Sequence, residues 1–527
     1  MRLGSGPTVR HILISNEPTN SAALPANYQA KLDDARRLDA AAQDSKGLMG
    51  QPKGLYTLFG LELWERFSYL GFQAILALYF AASIADGGLG YDKDVSSSIV
   101  AAFGAILYLL SIAGAWIADR VTGTHRALLW GAIIIAAGHI TMGVPAEVTT
   151  WIGLGLIIIG TGLLKPNVST KVGELYRPED ARRDAGFSIY YAGINIGAFL
   201  GPLIVGYLGP EVNWHVGFGA AAVGMILGVI QYIFGKRNLA GRERAVQIRA
   251  MFKADKYFWL TIGLVAVVIT LAVLFSAMAA DPLGLVINLV TAITVIAPIA
   301  YLAWMFFSPK VTKEEKANLG PYALLLVALV AYNVTYFQTG NTLNFIANQQ
   351  THNVLFGFEF PGTWYIPMIA LVEVCAGPLL AALWIRMGKR QPSVSAKVSI
   401  GVILGAISFA IIALAGALTE HGHLFAMWWI VVSYAFMGVG DLFVQTSGMS
   451  ATTRLAPRAF AAQTMAVWFS AMAMTQGIQA QIVKLFDYDT MSNITSYFGW
   501  QAVAIGAVGV MLIVLTPWMR KRMTVVG

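Results

Sequence analysis

The sequence predicts an all-α integral membrane protein: about twelve core transmembrane helices in two six-helix bundles, plus an inserted two-helix hairpin, about fourteen in all. Three observations point there. Of the 527 residues, 57% are hydrophobic and only 12% charged, with a mean hydropathy of +0.63. A soluble protein carries roughly 25% charged residues, so a surface this poor in charge must face lipid. The apolar residues fall into runs long enough to cross a bilayer. The basic residues fall into every second loop between those runs.

A helix rises about 1.5 Å per residue, so about 20 apolar residues cross roughly 30 Å of hydrocarbon. Runs of that length occur near 57–83, 97–118, 127–147, 150–172, 185–207 and 214–235. Two more lie at 257–280 and 284–307, and six follow at 321–347, 364–386, 397–417, 425–447, 459–484 and 496–518. The loops after the second and fourth runs carry Arg120, Arg126, Arg177, Arg182 and Arg183. The linker after the sixth carries Lys236, Arg237, Arg242, Arg244, Arg249, Lys253 and Lys256, and Lys310, Lys313 and Lys316 follow the eighth. Lys389, Arg390, Arg454, Arg458, Arg520, Lys521 and Arg522 continue the pattern. Alternate loops are nearly free of basic residues, with Lys93 and Lys484 as exceptions. Basic loops stay in the cytoplasm, so both termini are expected inside and the number of spans is even.

Four segments follow: a cytoplasmic tail over 1–50, an N-terminal bundle over 51–235, basic linkers with the hairpin over 236–320, and a C-terminal bundle over 321–527. The hairpin runs hold no charge, as expected of helices that do not line a pore. Two six-helix halves about a central cavity is the major-facilitator plan, with substrate bound near the midplane. The tail has no secretory signal pattern. Ala26 to Ser45 can form a short cytoplasmic helix, with a regulatory role as one reading and a solvated tail as the plainer one. The net charge of +8 sits in short loops rather than on one patch, which argues against nucleic-acid binding. Cys375 is the one cysteine, so no intrachain disulfide can form, and it reads as a small core residue.

Ionisable groups inside a span are costly and mark function. The segment ELWERFSYLGFQ places Glu62, Glu65, Arg66, Tyr69 and Gln73 at offsets 0, 3, 4, 7 and 11, one face of a helix. Glu62 and Arg66, four apart, can pair. Lys165, in GTGLLKPNVS of the fourth run, reaches a depth comparable to Glu65. The alternatives are a purely structural ion pair and a lysine snorkelling to the surface. Two acids with two bases form a balanced set that couples ligands: protonating a carboxylate frees a base for a substrate anion. Tyr108, Asn195 and Asp441 lie in the same layer. Asp441 can receive a substrate ammonium, or bond a neighbouring helix. Glu373 lies in the outer half of the eighth core run with no evident base, and its role stays open. Asn333, Tyr336, Gly340 and Asn344 form a polar stripe that either lines a cavity or packs helices. No phosphate-binding loop, zinc-ligand spacing or nucleophile elbow is present, so neither ATP-driven transport nor enzyme chemistry is expected.

At these residues the chain resembles the proton-dependent oligopeptide transporter family of the major facilitator superfamily, over about residues 52 to 520. ELWERFSYL resembles its first-helix motif, GAWIADRVTG its loop motif with Asp119 and Arg120, GTGLLKPNVS its lysine segment and FSIYYAGINIGAF its fifth-helix signature. The resemblance implies proton coupling at Glu62 and Glu65, and capture of a peptide carboxyl end by Arg66 and Lys165. It implies substrate contacts for Tyr69, Tyr108, Asn195, Gln338, Asp441 and Trp468, and a gating role for Asp119 and Arg120. The chain departs from the pattern at Leu70, at Phe337 beside Gln338, at Ile369-Ala370 and at the shorter Asp441. The carboxyl-end half of the site is thus intact and the amino-end half altered. A monomeric, proton-driven importer of di- and tripeptides in the bacterial inner membrane is expected, without cofactor or metal. The alternatives are a symporter of another small anionic or amino-acid-like solute, and a peptide-binding sensor.

Overall fold

The computed structural model describes residues 26–177, 179–243, 246, 280–419 and 423–523. A polar helix α1 (Ala26–Asp44) precedes six long helices: α2 (Lys53–Ala81), α3 (Lys93–Ile117), α4 (Thr124–Met142), α5 (Glu147–Glu174), α6 (Arg183–Tyr207) and α7 (Trp214–Gly235). The run at 257–280 lies outside the described residues except for Ala280, as do Arg244, Arg249, Lys253 and Lys256; its partner is α8 (Pro282–Phe307). Then come α9 (Lys313–Phe337), a short α10 (Thr342–Gln349), α11 (Ile366–Met387), α12 (Val394–Leu418), α13 (Trp428–Leu455), α14 (Ala461–Ile482) and α15 (Ile494–Arg522). Each apolar run within the described residues becomes a helix. The run at 321–347 is divided into α9 and α10 by a tight turn at Gln338–Gly340.

Ten of these helices are long and apolar enough to cross a membrane by length and composition. The long helices outside that set are α2, α4 and α14. In α14, Thr464, Ser470, Thr475, Gln476 and Gln479 are all buried against other helices, so its polarity faces protein. Entry into α9 is set by a capping box, in which Thr312 accepts from the Glu315 N–H while the Glu315 carboxylate accepts from the Thr312 N–H.

The first bundle is held by close backbone approach. Gly193, Gly197 and Gly201 recur every four residues along α6 and face the α2 backbone at Phe59, Leu63 and Phe67. A Cβ on Gly197 would lie 2.3 Å from the Leu63 carbonyl oxygen. In α5, Pro166 has no N–H to offer the Gly162 carbonyl. That carbonyl instead abuts Gly114 of α3, where a Cβ would lie 1.9 Å from it. Small residues of this kind let membrane helices touch along their backbones. Helix α8 lies outside both bundles and is mostly exposed. It packs on α14, where Thr291 donates to the Gly477 carbonyl at 3.0 Å, and on α3.

A belt of hydrogen bonds joins the bundles on the face opposite the chain ends. Lys93 donates to Gln349 Oε1 (3.0 Å) and to the Tyr488 carbonyl (3.1 Å), while Tyr488 donates to Ser97 (3.0 Å). Asn344 donates to the Ala74 carbonyl at 2.7 Å, Thr363 to Gly206 at 2.8 Å, and Trp364 to Leu203 at 3.1 Å. Lys93, an exception to the loop-charge pattern, is thus a clasp between the bundles. On the chain-end face, α1 is docked rather than wholly solvated. Leu32, Ala35 and Ala42 are buried, Arg36 pairs with Glu243 (2.7 Å), and Arg182 donates to the Gln43 carbonyl (3.0 Å). Cys375 is exposed on α11, a helix turned to the outside of the bundle, and is not a core residue.

Candidate functional site

Between the bundles lies a cavity of about 180 Å³. Its N-terminal wall carries Arg66, Tyr69 and Gln73 from α2, Tyr108 from α3, Lys165 from α5 and Asn195 from α6. Its C-terminal wall carries Tyr336 and Phe337 from α9, then Ile369, Ala370 and Glu373 from α11. The glycine ladder of α6 positions the first wall: it seats α6 on α2 and turns Asn195 and Arg66 toward one space.

Behind that wall, Arg66 Nε pairs with Glu62 at 3.3 Å and hydrogen-bonds Glu65. Glu65 is fully buried, and the buried Tyr190 of α6 lies beside Glu62. Arg66 Nη2 is buried with no hydrogen-bond partner among the described residues. A guanidinium is a planar five-donor fork, so Nη2 keeps donor capacity that the two carboxylates do not use. Lys165 departs from the expected four-membered set. Among the described residues it has no carboxylate within 4 Å, and its ammonium lies over the Tyr108 ring at 4.4 Å and the Tyr69 ring at 5.8 Å. Two aromatic faces stabilise it in place of a charge. The two arms of the charged set are therefore separate: an internally paired Arg66 cluster, and a lysine at the cavity surface.

Gln338, Asp441 and Trp468 do not line this cavity. Gln338 is fully buried and donates to Gln501 at 2.7 Å, because the turn after α9 folds its side chain toward α15. Trp468 is 1% exposed, with its ring against Gly448. Asp441 is on α13, and its Oδ1 is buried without a hydrogen-bond partner among the described residues. Asp119 and Arg120 are exposed at the end of α3, far along that helix from Tyr108, with Arg120 near Trp116 at 5.9 Å.

Glu373 is the acid that reaches the cavity from the C-terminal bundle. The sequence signal for it was its spacing: it follows Ile369 by four residues and Ala370 by three, so all three share a helix face. The polar stripe on α9 and α10 divides. Tyr336 and Gly340 line the cavity, whereas Asn333 donates to the Leu329 carbonyl and Asn344 to Ala74. Tyr190 was missed because a tyrosine in a membrane helix is ordinary until its partner is known. Among the described residues no group of His, Cys, Asp and Glu could hold a metal ion.

Two helical bundles around a charged cavity that lies between them define a membrane transporter of the major facilitator type. The chain belongs to the POT family, whose PTR2 profile matches residues 125–500. It is 39% identical over 496 residues to the uncharacterized transporter YclF of Bacillus subtilis (strain 168), covering 94% of this chain and 99% of that one. It is 37% identical over 483 residues to the di-/tripeptide transporter of Lactococcus lactis subsp. cremoris, covering 90% of this chain and 97% of the relative. The crystal structure of a peptide transporter POT in complex with sulfate superposes with a TM-score of 0.85 at 37% identity, covering 94% of this chain and all of that one.

Proposed function

We propose that this protein is a proton-driven importer of di- and tripeptides, working by alternating access as a monomer in the bacterial inner membrane with both chain ends in the cytoplasm. The observation that carries the reading is the pair of uncommitted cationic donors on one cavity wall, Arg66 Nη2 and the Lys165 ammonium, with two carboxylates held behind Arg66. A peptide carboxylate takes those donors. A proton on Glu62 or Glu65 weakens the hold on Arg66 and turns its fork to the ligand, which links proton and peptide binding. Asn195 and Tyr69 fill out the carboxyl-end site.

At the other wall, Glu373 receives the peptide ammonium, with Asp441 as a second negative charge behind it. This assignment shifts the amino-end role from Asp441 toward the residue that lines the cavity. The names of the relatives, among them a di-/tripeptide transporter, support the substrate class. The test is uptake of labelled dialanine by liposomes holding the purified protein, with the outside acidified. Accumulation above equilibrium that collapses with a protonophore is expected. Binding of dialanine without accumulation would identify a sensor and refute the proposal.

A further inference from the structure

On the chain-end face, away from the central cavity, the ends of α4 and α7 enclose a second pocket of about 540 Å³. Four cations line it: Arg126 from the first turn of α4, Lys236 and Arg237 just beyond α7, and Arg242. Among the described residues none of the four has a carboxylate within 4 Å. The described acids of this corner have partners other than the four side-chain cations. Glu174 binds Lys171 at 2.8 Å, Glu243 binds Arg36 at 2.7 Å, and Asp39 accepts the backbone N–H groups of Arg242 and Glu243 at 3.0 and 3.1 Å.

Four positive charges gathered in a concave site, none of them within 4 Å of a carboxylate among the described residues, call for an anion. The cations hold a constrained arrangement: Arg242 donates to the Arg237 carbonyl at 2.6 Å, closing the segment between them into a loop. The position selects among anions. The pocket opens where two membrane helices reach the interface, and it also holds Leu129. The flanks of the same helices present Trp130, Ile230, Ile233 and Phe234 exposed, with Phe234 at 75%. An anion arriving with acyl chains finds apolar surface for them, whereas a free anion does not use it. Basic pockets between membrane helices at this level bind phosphate-bearing lipid headgroups.

We infer that this pocket is a binding site for the phosphodiester headgroup of an anionic phospholipid, which ties the ends of α4 and α7 to the start of the linker. The inference does not depend on the transported substrate.

The test is native mass spectrometry of the full-length protein in detergent, titrated with phosphatidylglycerol or phosphatidylcholine, and separately with inorganic phosphate. The pocket variant is Arg126→Gln/Arg237→Gln/Arg242→Gln. The comparison variant, Arg520→Gln/Lys521→Gln/Arg522→Gln, removes the same charge from the same face elsewhere. Phosphatidylglycerol is expected to bind the unaltered protein more tightly than phosphatidylcholine. Its affinity should fall on the order of 100-fold in the pocket variant and little in the comparison variant. Equal loss in the two variants, or no loss in the pocket variant, would overturn the assignment. So would inorganic phosphate displacing phosphatidylglycerol at equal concentration, which would make the ligand a soluble phosphate. If the triple variant does not fold, Arg126→Gln alone, at an exposed position, should weaken phosphatidylglycerol about fivefold, and no change there would likewise overturn the inference.

Discussion

Replacing Gly197 by alanine tests whether the α2–α6 contact sets the binding site. The added Cβ would lie 2.3 Å from the Leu63 carbonyl oxygen, 2.8 Å from Arg66 Cβ and 2.9 Å from the Phe67 nitrogen. An unstrained carbon–oxygen contact needs about 3.3 Å, so the helices must part by roughly 1 Å. The nearest obstacle is backbone, and no change of rotamer relieves it. Overpacking of this kind costs about 1–3 kcal/mol, and it pushes directly on the residue that carries the guanidinium. A misplacement of about 1 Å at a positioning residue can reduce rate on the order of 100-fold. The assays are thermal unfolding in detergent and proton-driven dialanine uptake in liposomes. Gly155→Ala is the control, because nothing lies within 4 Å of a Cβ there. Unfolding at a lower temperature and a large loss of uptake are expected for Gly197→Ala, with near-normal values for Gly155→Ala. If the two variants behave alike, backbone contact does not position Arg66.

Glu65→Gln should abolish uphill uptake driven by a pH gradient while leaving dialanine exchange measurable; undiminished accumulation would exclude Glu65 from coupling. Lys165→Gln should raise the KM for dialanine roughly 10- to 100-fold, the worth of one charge-assisted hydrogen bond, and an unchanged KM would remove Lys165 from the carboxyl-end site. Glu373→Gln should weaken competition by dialanine about tenfold or more but leave competition by N-acetyl-dialanine unchanged, since only the former carries an ammonium. Equal loss for both competitors would mean that Glu373 acts on the fold rather than on the amino end.

Much of this architecture was legible because lipid leaves a coarse imprint. A helix that must cross hydrocarbon needs a long apolar run, so each run within the described residues is helical. The first-helix face from Glu62 to Gln73 was readable because helical period alone puts those residues together. Partner choice was not readable. Lys165 and Glu65 reach similar depth, yet depth says nothing about rotation of α5 about its axis, and the ammonium lies over Tyr108 and Tyr69 instead. Gln338 and Trp468 were misplaced for a related reason. A polar or aromatic residue in a span faces either a cavity or another helix, and only tertiary packing decides. Gln338 found Gln501, far away in sequence, and is satisfied there. Cys375 was read as core because its run is apolar, but α11 turns most of its surface outward. The docking of α1 was hidden because its contacts, such as Arg36 with Glu243, join segments about 200 residues apart.

The distribution of charge across the cavity bears on how binding could become movement. The cations Arg66 and Lys165 belong to α2 and α5 of one bundle, and Glu373 belongs to α11 of the other. A ligand with charge at one end only would be held by one bundle and would leave the energy of the contact between bundles unchanged. A ligand ends up altering that energy only if it binds one arrangement of the bundles more tightly than another. A zwitterion long enough to touch both walls does this, because its two ends report the distance between two rigid bodies. The opposite face is already closed by the Lys93, Asn344 and Thr363 hydrogen bonds. Each of these bonds contributes about 0.5–1.5 kcal/mol, together a sum comparable to what a bound peptide can supply, and they sit beside apolar contact such as Tyr207 against Trp364. In the proposed cycle a peptide shorter than the gap, or one lacking its ammonium, would bind at Lys165 and fail to draw the walls together. Such a compound should therefore compete with dialanine without being accumulated, and accumulation of N-acetyl-dialanine at the dialanine rate would show that the two walls need not be bridged.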